Sequence, residues 1–188
     1  MFLSKLLNLN RYEYYPIFHP AIDLRNRLPR TNLNKMTALY VGAGSGDSAL
    51  GMQLPYIKFQ RLDFIDIHEP YLESASCRTY AANKTNFIKA DVRDFDFSPY
   101  DIILIFDVLE HLPKEDSLKV IDKIKCKLVV FLPLEREFRE NVFGAESQDH
   151  LSLWTEQDFK NKGFKTDVLE DFHPGPKGRF PALWALRN

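Results

Sequence analysis

The chain is poor in cysteine. Cys77 and Cys126 are the only two in 188 residues, and their separation matches neither a metal-ligand spacing nor a disulfide framework. That usage fits a reducing compartment, the cytoplasm, and both thiols read as small core side chains. An excess of charge of either sign is also missing. With 25 basic and 26 acidic side chains the formal net charge is -1, which leaves no electrostatic footprint for nonspecific binding to nucleic acid or a membrane surface. No apolar run is long enough to span a bilayer. The N-terminal MFLSKLLNLNRYEYYPIFHP is interrupted by Lys5 and Asn8 and lacks a small-residue cleavage site, so it is expected to be retained rather than removed as a signal peptide. Internal repeats, low-complexity tracts and long linkers are absent as well. What is present, at 45% hydrophobic content, suffices for one well-buried domain.

Glycine is scarce too, at 8 residues, yet Gly42, Gly44 and Gly46 fall at alternate positions of TALYVGAGSGD, residues 37–47. A short apolar strand here runs into a turn whose backbone can take positive φ and approach a ligand without a Cβ in the way. Residues 48–54 then open a short helix whose first N–H groups face whatever sits on the loop. The dinucleotide fingerprint G-x-G-x-x-G requires a third glycine at position 47, which is Asp47. A fixed negative charge there disfavours a pyrophosphate, and an ordinary glycine-rich turn is the competing reading.

The order of the following elements adds weight. RLDFIDIHEPYLESA gives a second strand, residues 62–67, carrying Asp66 at its end, then an amphipathic helix from Glu69 to Ala81. NFIKADVRDF gives a short strand, residues 87–90, ending at Asp91. YDIILIFDVLEHLP gives residues 102–106, apolar on both faces as buried parallel strands are, ending at Asp107. In open parallel sheets ligands bind outside the carboxyl ends of the strands, which gathers these acids beside the glycine loop.

With these four motifs in this order, the chain resembles the class I S-adenosylmethionine-dependent methyltransferases from about Thr37 onward. The resemblance implies a Rossmann-like, doubly wound, three-layer α/β/α fold with a seven-stranded, mostly parallel sheet whose last strand is antiparallel. It implies S-adenosylmethionine as cofactor and an SN2 transfer of its methyl group. It puts Gly42, Gly44 and Gly46 beside the methionine part and ribose, and Asp66 on the ribose hydroxyls, an acceptor-only carboxylate suiting a vicinal diol. Asp91 would accept from the adenine amino group, with the Val92 N–H near the ring and Ile67 and His68 flanking it. Asp107 stands where donor and acceptor meet. The family usually has an acid two residues before the first glycine; here it is Tyr40, which brings no negative charge at neutral pH.

A domain of residues 34–188 is expected behind an N-terminal helical extension, residues 1–33, a candidate cover for the active site. Tyr12, Tyr14, Tyr15, Phe18 and His19 cluster in that extension, either lining an acceptor pocket or packing on the sheet, and residues 21–27 suggest a helix with Arg25 and Arg27 on its polar side. Further on, residues 114–125 read as a helix with Leu118, Ile121 and Ile124 on one face, and residues 128–132 as a fifth buried strand. Thr155 suits an N-cap, with Glu156 and Asp158 in the first turn. Residues 164–169 and 180–186 read as the last two strands, joined by the turn-rich HPGPKGRFP.

Methyl transfer requires a general base only for acceptors such as phenols or alcohols. His111 and His150 are the candidates, with Glu135 weaker, and no metal is expected. After the fourth strand the chain has Asp107-Val108-Leu109-Glu110, not the Asn/Asp-Pro-Pro-Tyr/Phe of amino-methylating DNA enzymes or the Pro-Cys of cytosine-C5 enzymes. A small-molecule acceptor is the default, with protein or RNA acceptors left open. Two alternatives stand beside an active enzyme. Tyr40 suggests a catalytically silent cofactor-binding or regulatory protein, and a nucleotide-dependent oxidoreductase is disfavoured by Asp47.

Overall fold

A computed structural model describes residues 24, 27, 28, 32–44, 59–78, 85–135, 149–175 and 178–188. Gly46, Asp47, the helix expected at 48–54 and the aromatic cluster of the N-terminal segment lie outside them. In chain order come β1 (Thr37–Val41), β2 (Arg61–Asp66), α1 (Glu69–Arg78), β3 (Phe87–Lys89), β4 (Ile102–Phe106), α2 (Lys114–Lys123), β5 (Lys127–Pro133), α3 (Glu156–Lys160), β6 (Lys165–Gly175) and β7 (Gly178–Arg187). They build one seven-stranded sheet in the order β3-β2-β1-β4-β5-β7-β6. Strands β1 to β5 pair in parallel, and β7 runs antiparallel to both β5 and β6. This is the doubly wound sheet expected from the sequence.

Each face of the sheet has its own core because successive strand residues point to opposite sides. Ala38 and Tyr40 of β1 join Phe64, Phe106, Phe131 and Trp184 on one face, under Leu72 and Ala75 of α1. Leu39 and Val41 join Ile65, Ile103, Ile105 and Val130 on the other, under Val120 and Ile121 of α2 and Phe159 of α3. All five residues of β4 are buried, as the unbroken apolar run IILIF requires of a central parallel strand. From the N-terminal segment, Leu24 and Leu28 are buried in the first core and Arg27 pairs with Asp167 of β6 while its guanidinium lies over Trp184.

Two expectations change. HPGPKGRFP is not only a connection: His173 pairs with Phe180, Pro174 with Arg179 and Gly175 with Gly178, extending the β6–β7 hairpin beyond a register shift after Leu169. Pro174 is tolerated because β6 is the edge strand, where a missing N–H breaks no inner ladder. Cys77 is exposed rather than part of the core, since α1 turns Leu72 and Ala75 inward and Cys77 away. Cys126 is half-buried, and burial raises its thiol pKa.

One polar group is sealed beneath the sheet end opposite the glycine loop. Asp63, 2% exposed, accepts from the Tyr100 hydroxyl at 2.9 Å and from the Asn86 side chain at 2.8 Å. Burial, then the bond to Asp63, pushes the Tyr100 pKa up to about 12. Between the ordinary tyrosine value and this one, the unfolded chain has lost a proton that the folded chain keeps, so the contribution to stability is complete below about pH 10 and lost as pH rises through the folded pKa. The melting temperature should therefore fall more steeply above about pH 10 in the native chain than in Tyr100→Phe, which cannot ionise there. Parallel melting curves from neutral to alkaline pH check this, and identical slopes would contradict it.

Candidate functional site

The carboxyl ends of β2, β1 and β4 meet where the strand order reverses, the place where such sheets hold ligands. Val41 pairs with both Ile65 and Ile105, so the next residue, Gly42, stands level with Asp66 on one side and Phe106 on the other. The Gly42 and Ala43 N–H groups donate to Ile65 O at 2.9 and 3.2 Å, which carries the β1–β2 ladder into the loop. Gly42 and Gly44 have φ of 79° and 56°, and a Cβ on Gly42 would lie 2.3 Å from Val108 Cγ2. Glycine is needed at position 42 twice over, for its left-handed backbone and for close packing against the loop after β4.

Asp66 is locked by its own neighbourhood. Its Oδ2 accepts from the Gly44 N–H at 3.0 Å and its Oδ1 from the His68 N–H at 2.8 Å, so the carboxylate ties the glycine loop to the start of α1. Ile67 beside it is 60% exposed. His68 stacks edge-on against Tyr71. Asp91 is held by Arg93, whose Nε and Nη2 donate to its carboxylate at 3.0 and 2.6 Å and whose side-chain bonds keep its pKa below the usual range. Val92 is buried next to it.

Tyr40 is 2% exposed, its ring packed 5.5 Å from that of Phe64 and 5.6 Å from that of Phe106. Strand alternation puts position 40 on the aromatic face of the sheet, and the tyrosine serves the core there. The acidic side chains of the site come instead from the loops after β4 and β5, as Asp107, Glu110 and Glu135.

Asp107 follows β4 with φ of 50°, a strained backbone for a residue other than glycine, held by its N–H bond to Phe131 O at 2.9 Å. Its side chain is exposed to solvent on one side, with protein packed densely behind it. Desolvation, then the nearby Glu135, raises its pKa to about 7. The next turn, Leu109–His111, carries Glu110, 2% exposed, whose pKa is driven well above the usual range by burial and then by Asp107.

The two histidines singled out in the sequence come together. His111 and His150 lie with ring centroids 4.8 Å apart, nearly perpendicular. A web of bonds brings residues 149–154 onto the turn after β4. Glu110 O accepts from the Leu151 and Ser152 N–H groups at 2.7 and 3.0 Å, and Leu109 O from the Ser152 and Ser117 hydroxyls at 3.0 and 2.8 Å. The Trp154 indole donates to Ser152 Oγ at 2.9 Å. Lys114 Nζ donates to Leu153 O at 2.6 Å and to Asp158 Oδ2 at 2.7 Å, and Asp158 also completes the capping box with Thr155 that starts α3. His150 in turn bonds through Nδ1 to the Glu135 carboxylate after β5.

Glu110 was missed in the sequence. Its burial depends on residues 149–154, which no local spacing announces. Among the described residues, Glu110, His111 and His150 also form a group of possible metal ligands, within 4.8 Å of one another. No helix among the described residues is long and apolar enough to cross a membrane.

Comparison with known proteins agrees with this geometry. A family model described as a methyltransferase domain matches residues 38–129. No curated protein matches the chain in sequence. Among solved structures, the N-methyltransferase NodS from Bradyrhizobium japonicum WM9 in complex with S-adenosyl-L-homocysteine is similar over 97% of this chain and 95% of that one, with a TM-score of 0.60 and 16% identity. A putative S-adenosylmethionine-dependent methyltransferase from Listeria monocytogenes is similar over 88% of this chain and 95% of that one, with a TM-score of 0.61 and 17% identity. The complex between the Haloferax volcanii Trm112 methyltransferase activator and a putative methyltransferase gives a TM-score of 0.65 at 16% identity, over 88% of this chain and 86% of that one. Residues 38–129 thus match a methyltransferase domain, and the order and direction of the seven strands are those of the Rossmann-like fold of the solved methyltransferases.

Proposed function

We propose that the protein is a cytoplasmic enzyme that methylates a small molecule with S-adenosylmethionine. The observation that carries the cofactor reading is the Asp66 carboxylate, fixed between the Gly44 and His68 N–H groups beside an exposed Ile67. An anchored acceptor beside an open apolar surface suits a ribose diol next to an adenine ring. Gly44 adds room, since a Cβ there would meet nothing within 4 Å.

In this reading Asp66 takes the ribose hydroxyls and Asp91 the adenine amino group, with the Val92 N–H near the ring and Ile67 and His68 flanking the ribose and adenine. Gly42, Gly44 and Gly46 give the methionine part its backbone cradle. Tyr40, buried behind that cradle, shapes its floor, and Asp107 stands at the methionine end, where a bound cationic ammonium group would favour its ionised form. Bound S-adenosylmethionine supplies an electrophilic methyl group on a sulfonium, so the protein's task is chiefly to orient the acceptor and exclude water. His150, with its Nδ1 held by Glu135, and His111, held by Asp149, are placed to orient an acceptor and, where no cation occupies their free ring nitrogens, to take its proton.

The test is incubation of the protein and S-adenosylmethionine with a panel of phenols, alcohols, amines and carboxylates, following S-adenosylhomocysteine release. Turnover with at least one class that falls by about tenfold or more in His150→Ala is expected. Cofactor binding without turnover over the whole panel would favour the silent binding protein instead.

A further inference from the structure

We propose that Glu110, His111 and His150 form a binding site for one divalent transition-metal cation at the acceptor end of the cleft. A carboxylate oxygen of Glu110 and a ring nitrogen of each histidine lie within 4.8 Å of one another. Ligands sharing a first-row cation at bond lengths of about 2.1 Å stand roughly 3 to 4.2 Å apart, so a small closure of these three side chains suffices.

Three further observations point to a cation rather than to a chance cluster. First, Glu110 is 2% exposed, and its Oε2 is buried without a hydrogen-bond partner among the described residues. Leaving a carboxylate oxygen in that condition is costly, and buried acids are ordinarily paired or coordinate a metal. Second, both histidines are oriented from behind. His111 Nδ1 lies 3.1 Å from Asp149 O, and a carbonyl only accepts, so the proton is on Nδ1 and the lone pair on Nε2. His150 Nδ1 is held by the Glu135 carboxylate in the same way. A carboxylate or carbonyl behind the far ring nitrogen is the usual support of a metal-bound histidine, fixing its tautomer and raising its basicity. Third, the ligands come from two segments that are themselves fastened together. Glu110 O accepts from Leu151 and Ser152, and Ser152 and Ser117 both donate to Leu109 O. The two segments that carry the ligands are therefore held together by their own hydrogen bonds.

Two imidazoles and one carboxylate suit zinc or manganese better than calcium or magnesium, which prefer oxygen alone. Such a cation acts as a Lewis acid on an oxygen bound to it. The deepening of the proposed function, which rests on that reading, is that the acceptor is a hydroxyl compound. Bound there, the cation would ease loss of the hydroxyl proton to solvent; the oxygen electron pair would form the O–CH3 bond as the S–CH3 bond breaks, its electrons staying on the sulfur of the departing S-adenosylhomocysteine.

The experiment is calorimetric titration of the chelator-treated full chain with ZnCl2 and with MnCl2, accompanied by melting curves with and without each ion. One saturable site is expected, with a rise in melting temperature. Glu110→Gln and His150→Gln should each weaken binding by about tenfold or more, and Glu135→Gln, behind His150, by a similar factor. Cys77→Ser, exposed and remote, should leave it unchanged. Absence of saturable binding, or affinity unaltered in His150→Gln and in whichever other variants remain folded by circular dichroism, overturns the site. Metal binding without S-adenosylhomocysteine binding would keep the site and defeat the methyl-transfer reading; the reverse outcome would do the opposite.

Discussion

Gly42→Ala should destabilise the folded chain by about 3 kcal/mol, and only the overpacking part of that loss, roughly half, should be relieved when Val108→Ala is added. The expectation follows from two separate penalties at one position. The backbone at Gly42 has φ of 79°, which costs an L-residue roughly 1 to 2 kcal/mol, and the new methyl would stand 2.3 Å from Val108 Cγ2. The second penalty is overpacking, typically about 1 to 3 kcal/mol, and Val108→Ala removes the obstructing group while leaving the first in place. The loop after β1 and the loop after β4 are thus pressed together, and the double variant measures how much of the site's rigidity comes from that contact. Urea unfolding of the four proteins in the cycle decides it. Additive losses would show that the two loops do not touch as described.

Asp66→Ala should weaken S-adenosylhomocysteine binding by roughly ten- to a hundredfold, or about 1 to 3 kcal/mol. Part of this is the loss of charge-assisted bonds to the ribose, and part is slackening of the Gly44 and His68 N–H groups that the carboxylate now holds at 3.0 and 2.8 Å. Asp66→Asn separates the two contributions. Its amide oxygen can keep one backbone bond and so much of the loop geometry, but it supplies no charge and a single acceptor for the diol. Affinity in Asp66→Asn should fall between the native chain and Asp66→Ala, with a melting temperature close to native. An unchanged dissociation constant in both would remove Asp66 from the ribose site.

Much of this site was legible from local chemistry. Strands β1 to β5 each show an apolar run short enough for a strand, and β2, β3 and β4 break into an acid where the chain leaves the sheet. Ile102–Phe106 was readable to the residue, because a strand buried on both faces tolerates no polar side chain. The N-cap at Thr155 was equally local, since Asp158 three residues on closes the capping box.

What the sequence concealed depends on distant partners. Pro174, Gly175 and Gly178 look like turn formers, yet edge pairing with β7 lets them extend a hairpin. Tyr40 occupies a motif position associated with the cofactor, but only the neighbouring strands decide that Phe64 and Phe106 surround its ring. Cys77 falls on the outer side of α1, which a weakly amphipathic helix does not announce. Glu110 reads as the polar residue of an exposed turn. Its burial is created by residues 149–154, which fold back on it from nearly forty positions away and bring His150 beside His111.

The most direct test of the central claim, that the β1–β4 switch point is a site for S-adenosylmethionine, is a calorimetric titration of the purified chain with S-adenosylhomocysteine, with NAD as comparison. The account predicts saturable binding of one S-adenosylhomocysteine per chain and no saturable binding of NAD. Failure to bind S-adenosylhomocysteine, or preference for NAD, would contradict it.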